Sequence, residues 1–309
     1  MIITVTLNPA LDKTVTLPGF AVNTINRVQS IRLDPGGKGI NVSKAVKALG
    51  GKTLSIGILG GASGGYIKAA LDKMELPNEM VLSAEQTRTN IKIVDPVLKT
   101  NTDINEPGGR VSRETLLAVW EKLTAVVNPG DTVVFAGKNP PGMADELLPA
   151  WIRRLKSLDV RVCVDTVGEP MRLALKEKPD IIKPNRVELS EIMGVDRLTD
   201  EQLLEAAQSL VNEGVGLVAV SMGGDGAFFV TRDQVLRGYC PKVSVVSTVG
   251  AGDSMMAALA HYTSVGCSLE ETARRAIAVA SACVTCDGSQ PAELDRILPL
   301  IDKVRIERL

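Results

Sequence analysis

The residues best suited to chemistry in this 309-residue chain lie in STVGAGDSMMAALAHY at 247–262. There a β-type run, KVSVVST, ends in Gly250-Ala251-Gly252, and a helical pattern of small residues begins with Asp253 in its first turn. Free backbone N–H groups at such a start can hold an oxyanion as charge develops, and the helix dipole favours an ionised Asp253. A carboxylate beside an anion hole can take a proton while the amides receive charge. Asp253 fits equally a plain use as a helix cap, for which Asp is a preferred residue.

Other segments carry weaker signals. DPGGKGINVSK at 34–44 sets Gly37 and Lys38 ahead of Ile40, Val42, Ala45, Val46 and Leu49 at helical spacing. Amides at a helix start beside a lysine form an anion or hydroxyl site, and a tight strand-to-helix turn explains the segment as well. It is not a P-loop, because Lys38 is followed by Gly39 and the first glycine is missing; GGKT at 50–53 fails likewise, with Val46 in that position. SMGGDG at 221–226, between GLVAV and AFFV, reads as a turn or a nucleotide-approaching loop. A dinucleotide fingerprint is excluded, since GxGxxG is absent. In KPNRVEL at 183–189, Asn185 and Glu188 share one side of a short helix and can order Mg²⁺ through water, although most such spacings are solvated faces.

Composition narrows the chemistry further. A single histidine, His261, inside an apolar helical pattern removes Ser-His-Asp and Cys-His arrangements and most zinc sites, so a catalytic base is a carboxylate. With 35 Lys plus Arg against 36 Asp plus Glu, no net field draws the chain to nucleic acid or an anionic membrane. Five scattered cysteines fit a reducing cytoplasm rather than a disulfide framework, and CVTC at 283–286 reads as core packing. No window approaches the roughly 18 apolar residues of a membrane span.

These residues need a scaffold, and the hydrophobic pattern predicts one. β-type runs at 132–137, 160–166, 180–184 and 216–224 alternate with helical patterns at 114–127, 146–158 and 200–214, which predicts βα units on a mostly parallel sheet. From Gly252 onward the pattern is helical. Residues 12–34 and 87–105 alternate polar and apolar at period two, as strands with one wet face that pair into a small sheet. They read as a lid or as an antiparallel edge of the main sheet.

In this order, and over essentially the whole chain, the segments resemble the ribokinase-like (PfkB) family of sugar kinases. GGKGINVSKAVKALGG with GGASGG is similar to the family's first glycine motif, and STVGAGDSMMAALAHY to its second. TLNPALD, TRTNIKI at 87–93 and DINEPG at 103–108 resemble the branch acting on phosphorylated ketohexoses. The resemblance implies a three-layer α/β/α ribokinase-like sandwich over 1–309, with a β-sheet lid from about 12–34 and 87–105 closing over a sugar phosphate and ATP-Mg²⁺. It implies ATP-dependent phosphorylation of fructose 1-phosphate to fructose 1,6-bisphosphate. On matching positions, Asp12, Gly37, Lys38 and Asn41 would hold sugar hydroxyls or phosphate, and Arg88 and Arg27 would meet the substrate phosphate. Lys183, Asn185, Ser221, Gly223, Gly224 and Gly226 would line the nucleotide pocket, while Asn185 and Glu188 would order Mg²⁺. Asp253 would accept the hydroxyl proton, and the amides of Gly250, Ala251 and Gly252 would receive the charge.

Alternatives stay open at this point. Tagatose 6-phosphate or fructose 6-phosphate suits the same motifs, and a catalytically silent sugar-phosphate-binding regulator suits the same fold. Lys38, Arg88 and Arg27 weigh against an uncharged acceptor, and an intact Asp253 weighs against the regulator. Where the family often has Gly-Ser-Leu-Pro, this chain reads AGKNPPG, so Lys138 and Asn139 bear on which sugar is accepted. A lid with an apolar face suggests a homodimer.

Overall fold

The computed structural model describes residues 1–309. Its elements begin β1 (Ile2–Thr6), β2 (Ala10–Thr16), β3 (Ser30–Gly36), α1 (Lys38–Ala48), β4 (Thr53–Gly60), α2 (Gly61–Lys73) and β5 (Asn78–Ser83). They continue β6 (Arg88–Asp95), β7 (Thr100–Asn105), α3 (Arg113–Val126), β8 (Thr132–Ala136), α4 (Leu147–Lys156), β9 (Arg161–Asp165) and α5 (Glu169–Leu175). Next are β10 (Ile181–Ile182), α6 (Arg186–Ile192), α7 (Asp200–Asn212), β11 (Leu217–Ser221), β12 (Ala227–Val230) and β13 (Val235–Tyr239). Helices α8 (Ala251–Ser264), α9 (Leu269–Cys283) and α10 (Leu294–Ile301) precede a last strand, β14 (Arg305–Arg308). No helix is long and apolar enough to cross a membrane.

Ten strands form one sheet in the order β14-β13-β12-β11-β10-β9-β8-β1-β4-β5. Pairing is parallel from β5 through β11 and antiparallel from β11 to β14. Side chains alternate between its faces, as period two demands. Ile3, Val5, Val133, Phe135, Val218 and Val220 join a core under α3, α4 and α7. Their neighbours Ile2, Val134, Ala136, Leu217 and Ala219 join another under α1, α8 and α9. The result is a three-layer α/β/α sandwich. The chain leaves β1 toward β4 and returns to β1's other side with β8, so a crevice opens past the carboxyl ends of these strands.

A second sheet of four strands, β3-β2-β6-β7, stands apart. Its register sets Asp12 opposite both Asp34 and Asn90, Thr14 opposite Lys92, and Lys92 opposite Asp103. Alternation therefore gathers a polar row on one face, while Val15, Leu17 and Ile93 pack with Phe20 and Ile91 on the other. Within 12–34, only the two ends are strand. The loop between them is tied down by Asp95, whose carboxylate accepts N–H bonds from Gly19 and Phe20.

One expected strand is missing. The run KVSVVST at 242–248 is irregular, with Val245 and Val246 62% and 59% exposed, because no neighbouring strand offers it a ladder. Helix α9 ends at Cys283, so Cys286 lies beyond it, and all five thiols are free.

Close packing of α1 on β1 fixes where the amino end of that helix points. A Cβ at Gly39 would stand 2.3 Å from the Thr6 hydroxyl and 3.1 Å from the Val5 carbonyl oxygen. Gly39→Ala is expected to cost about 1–3 kcal/mol by overpacking, read as a lower urea midpoint with an unchanged slope.

Candidate active site

Helix α8 starts at Gly250, whose φ of 82° is left-handed and costs little only in glycine. That reversal leaves the N–H groups of Gly250, Gly252 and Asp253 without an acceptor in the chain. The N–H of Ala251 donates to the Thr248 carbonyl at 3.4 Å, so Ala251 is the weakest of the expected oxyanion donors. Asp253 is not the cap; Gly250 is, and the Asp253 carboxylate instead accepts a 2.8 Å hydrogen bond from Asn41 Nδ2 on α1. The two helix starts are thereby joined through side chains.

Burial dominates the protonation of Asp253. It pushes the carboxyl above the ordinary Asp range, Asp165 adds to the rise, and Asn41, Lys38 and Lys183 oppose it. Burial therefore works against the ionised form that the helix dipole favours.

Beside it lies a compact charge cluster. Asp165, at the carboxyl end of β9, is 1% exposed and sits between two ammonium groups, with Lys38 Nζ at 2.9 Å and Lys183 Nζ at 3.5 Å. Burial alone would raise the Asp165 carboxyl, but Lys183 and Lys38 hold it below the usual range. Burial likewise works against charge on Lys38, and Asp165 and Glu188 outweigh it and raise that ammonium. Glu188 Oε1 is 3.7 Å from Lys38 Nζ. Lys38 therefore points into the junction of the elements rather than out to solvent.

Asn185 and Glu188 have a structural job beyond a solvated face. Asn185 caps α6 by accepting N–H bonds from Val187 and Glu188, and Glu188 Oε2 accepts from the Asn185 N–H at 2.9 Å. This capping box fixes both side chains. It leaves Asn185 Nδ2, a donor, and Glu188 Oε1 for anything bound nearby.

Two cavities meet at this cluster. The larger, about 710 Å³, takes in Lys183, Asn185, Glu188, Ser221, the glycines at 223, 224 and 226, and the Gly250–Gly252 turn. Val243, Val245, Met255, Ala280 and Val284 give it an apolar wall, and the volume suits a nucleotide-sized ligand. Val243 and Val245 of the irregular 242–248 segment thus face a cavity rather than a core. The smaller, about 290 Å³, lies under the polar row of the second sheet and takes in Asp12, Gly37, Asn41, Arg88 and Asn90. Lys38 and Asp253 line both.

Not every expected residue arrives. Arg27 is exposed in the β2–β3 loop and lines neither cavity. Lys138 is exposed, and with Asn139 it borders a separate small hollow near Leu148 and Thr166. Arg88 lines the smaller cavity, yet its guanidinium already donates to the carbonyls of Asn8 and Glu106 and to Asn90 Oδ1. Burial pulls its charge-holding capacity below the usual Arg value. In Asp12, burial raises the carboxyl, against a 3.0 Å hydrogen bond from Asn90 Nδ2.

Sequence reasoning missed Asp165, Asn90 and Lys92. An aspartate closing the apolar run VCVD is the available signal for the first, because ligands of such sheets gather past the carboxyl ends of strands. The other two are legible only once β2 and β6 are known to pair.

A layered sheet, a separate small sheet and two cavities sharing one buried carboxylate define the ribokinase-like class of fold. Residues 5–296 match the pfkB family carbohydrate kinase. The chain is 37% identical over its full length to a 1-phosphofructokinase of Rhodobacter capsulatus, covering 98% of it. It is 34% identical to a 1-phosphofructokinase of Bacillus subtilis, covering 100% of both chains. Its fold superposes on phosphofructokinase-2 from Escherichia coli in complex with fructose-6-phosphate with a TM-score of 0.92, at 29% identity over 98% of each chain. The chain belongs to the pfkB family of carbohydrate kinases.

Because the folded Asp253 carboxyl is raised, the folded state holds its proton longer than the unfolded state does. Stability attributable to this group is full at low pH and falls as pH rises past the ordinary Asp value of about 3.9 toward the folded one. Asp253→Asn is therefore expected to melt higher than the wild type at pH 7, with the gap closing in acid. Thermal scans across pH check this.

Proposed function

We propose that this kinase transfers the γ-phosphoryl group of ATP to a ketohexose phosphate, with fructose 1-phosphate as its preferred acceptor. The observation that carries the reading is the meeting of the two cavities at Asp253, beside N–H groups with no acceptor of their own. The full-length likeness to 1-phosphofructokinases supports the choice of acceptor.

The larger cavity takes ATP, with Ser221, Gly223, Gly224, Gly226 and Lys183 around it. The smaller takes the sugar phosphate, with Asp12, Gly37, Asn41 and Arg88 on its hydroxyls and phosphate. Asn41 holds Asp253 Oδ2, which leaves Oδ1 to receive the proton of the attacking hydroxyl. A raised carboxyl suits that task, since a base works best with a pKa drawn toward the operating pH. Charge gathering on the equatorial oxygens of the transferred group is met by the N–H groups of Gly250, Gly252 and Asp253, with Ala251 contributing less. Lys38, held by Asp165 and Glu188, keeps positive charge at the seam between the two ligands.

No group of three or more His, Cys, Asp or Glu side chains is placed to hold a metal ion unaided. Mg²⁺ commonly needs only one or two carboxylates, the rest being water and substrate phosphates. Glu188 Oε1 and the buried Asp165 Oδ2, which makes no hydrogen bond and has the Lys183 ammonium at 3.5 Å, are the carboxylate oxygens available on the nucleotide cavity, while Asn185 Nδ2, a donor, suits phosphates rather than the cation. Bound there, Mg²⁺ would neutralise the β- and γ-oxygens. The four-stranded sheet acts as a lid, and its exposed Ile31 and Ile104 support pairing of two chains through it. Five free thiols support a reducing, cytoplasmic setting.

Likeness to phosphofructokinase-2 in complex with fructose-6-phosphate favours fructose 6-phosphate as the second reading. ATP consumption with Mg²⁺ is to be compared for fructose 1-phosphate, fructose 6-phosphate, tagatose 6-phosphate and unphosphorylated fructose. The expected result is clear preference for fructose 1-phosphate; preference for a 6-phosphate moves the acceptor, and turnover of fructose alone removes the phosphate argument. Asp253→Asn should lose roughly 10²- to 10⁴-fold in kcat while still binding fructose 1-phosphate. Retained turnover in that variant takes Asp253 out of its role.

A further inference from the structure

Four cations line the smaller cavity: Lys13, Lys38, Arg88 and Lys92. Their partners differ. Lys38 is committed to Asp165 and Glu188. Arg88 uses four of its five N–H donors on the Asn8 and Glu106 carbonyls and on Asn90, so it braces β6 against the segments around it and has one donor left for a ligand. Lys13 stands between Asp12 and Thr14 in β2, and strand alternation sends it away from the row that holds those two. Lys92 remains. Its ammonium has one neighbour, an Asp103 oxygen at 3.3 Å on a half-exposed side chain, and its own side chain is 25% exposed.

From this distribution we infer that Lys92 is a further, specificity-determining cation that holds the phosphate of the sugar substrate beside Arg88. The inference rests on the reading above that the acceptor is a ketohexose phosphate. Register supports it: Asn90 bonds Asp12 at 3.0 Å, marking where sugar hydroxyls meet the lid, and Lys92 lies two residues farther along the same face. Two strand residues span about 6.7 Å, comparable with the carbon chain of a hexose. Asp253 and Lys92 line the same cavity, so a sugar phosphate with its accepting hydroxyl at Asp253 can turn its phosphate toward Lys92. An ammonium with unspent donors is a phosphate ligand, and Asp103, facing water, is readily displaced by a more highly charged anion.

The test is a ratio. kcat/KM for fructose 1-phosphate is divided by kcat/KM for unphosphorylated fructose in the wild type, Lys92→Met and Lys92→Arg, with KM for ATP measured alongside. Lys92→Met is expected to shrink the ratio by roughly 10- to 100-fold, the size of a lost charge-assisted hydrogen bond, with Lys92→Arg restoring most of it and KM for ATP unchanged. If the lysine merely supports the lid, both sugars lose together and the ratio stays, which overturns the inference and leaves the kinase reading intact. A ratio unchanged because neither sugar is affected overturns it equally. A wild type that prefers unphosphorylated fructose sinks both this inference and the acceptor assigned above.

Discussion

Asp165 is buried between two ammonium groups, and the geometry of the whole active site follows from keeping it ionised there. A lone carboxylate at that depth would take up a proton, whereas Lys38 and Lys183 hold it charged. In return it locates both lysines. Lys38 comes from the first turn of α1, Lys183 from the end of β10 and Asp165 from the end of β9, so one carboxylate pins a helix on one face of the sheet to two neighbouring strands. The same cluster bears on Asp253. Asp165 discourages its ionisation, the two lysines encourage it, and burial tips the balance upward. The protonation of Asp253 is thus tuned by neighbours whose first task is structural.

A second constraint comes from polar groups in the crowded seam between helices and loops. Lys44 Nζ, fully enclosed, donates to the Pro35 carbonyl at the end of β3 and to the carbonyl and hydroxyl of Ser289. Burial lowers its affinity for a proton, and the carboxylates nearby offset part of that loss. The contact ties the root of the second sheet to the loop after α9, next to the turn that opens α8. Removing the amine would take a donor from two carbonyl oxygens, those of Pro35 and Ser289.

Much of the main sheet was legible because its strands alternate between two apolar cores, and the helices announce themselves by period. The run at 242–248 misled for an instructive reason. The valines there follow a strand-like pattern, but Val243 and Val245 line a cavity, Val246 is exposed, and no partner strand exists. Periodicity records which residues avoid water, not what they avoid it with. Glycine turns at Gly37 and Gly250 were legible as helix starts, while the pairing of Asn41 with Asp253 across more than two hundred residues was not. The direction of the Asp253 shift lay equally out of reach, since it depends on burial and on Asp165 from a third segment. Arg27 and Lys138 show the converse: a cation at a suggestive position carries no information about where its loop goes.

The two cavities differ in how they are built. Every residue around the larger one belongs to the ten-stranded sheet, its helices and their connecting loops, whereas most of the smaller one's lining comes from the four-stranded sheet and from strand ends leading into it. The second sheet packs its own small apolar cluster and shares little of the main core. Substitutions on its polar face can accordingly accumulate without disturbing the charge cluster or the turn at Gly250. Descendants of one ancestral scaffold can exchange acceptors by drift on a few strand positions, while the donor half of the reaction passes down unaltered.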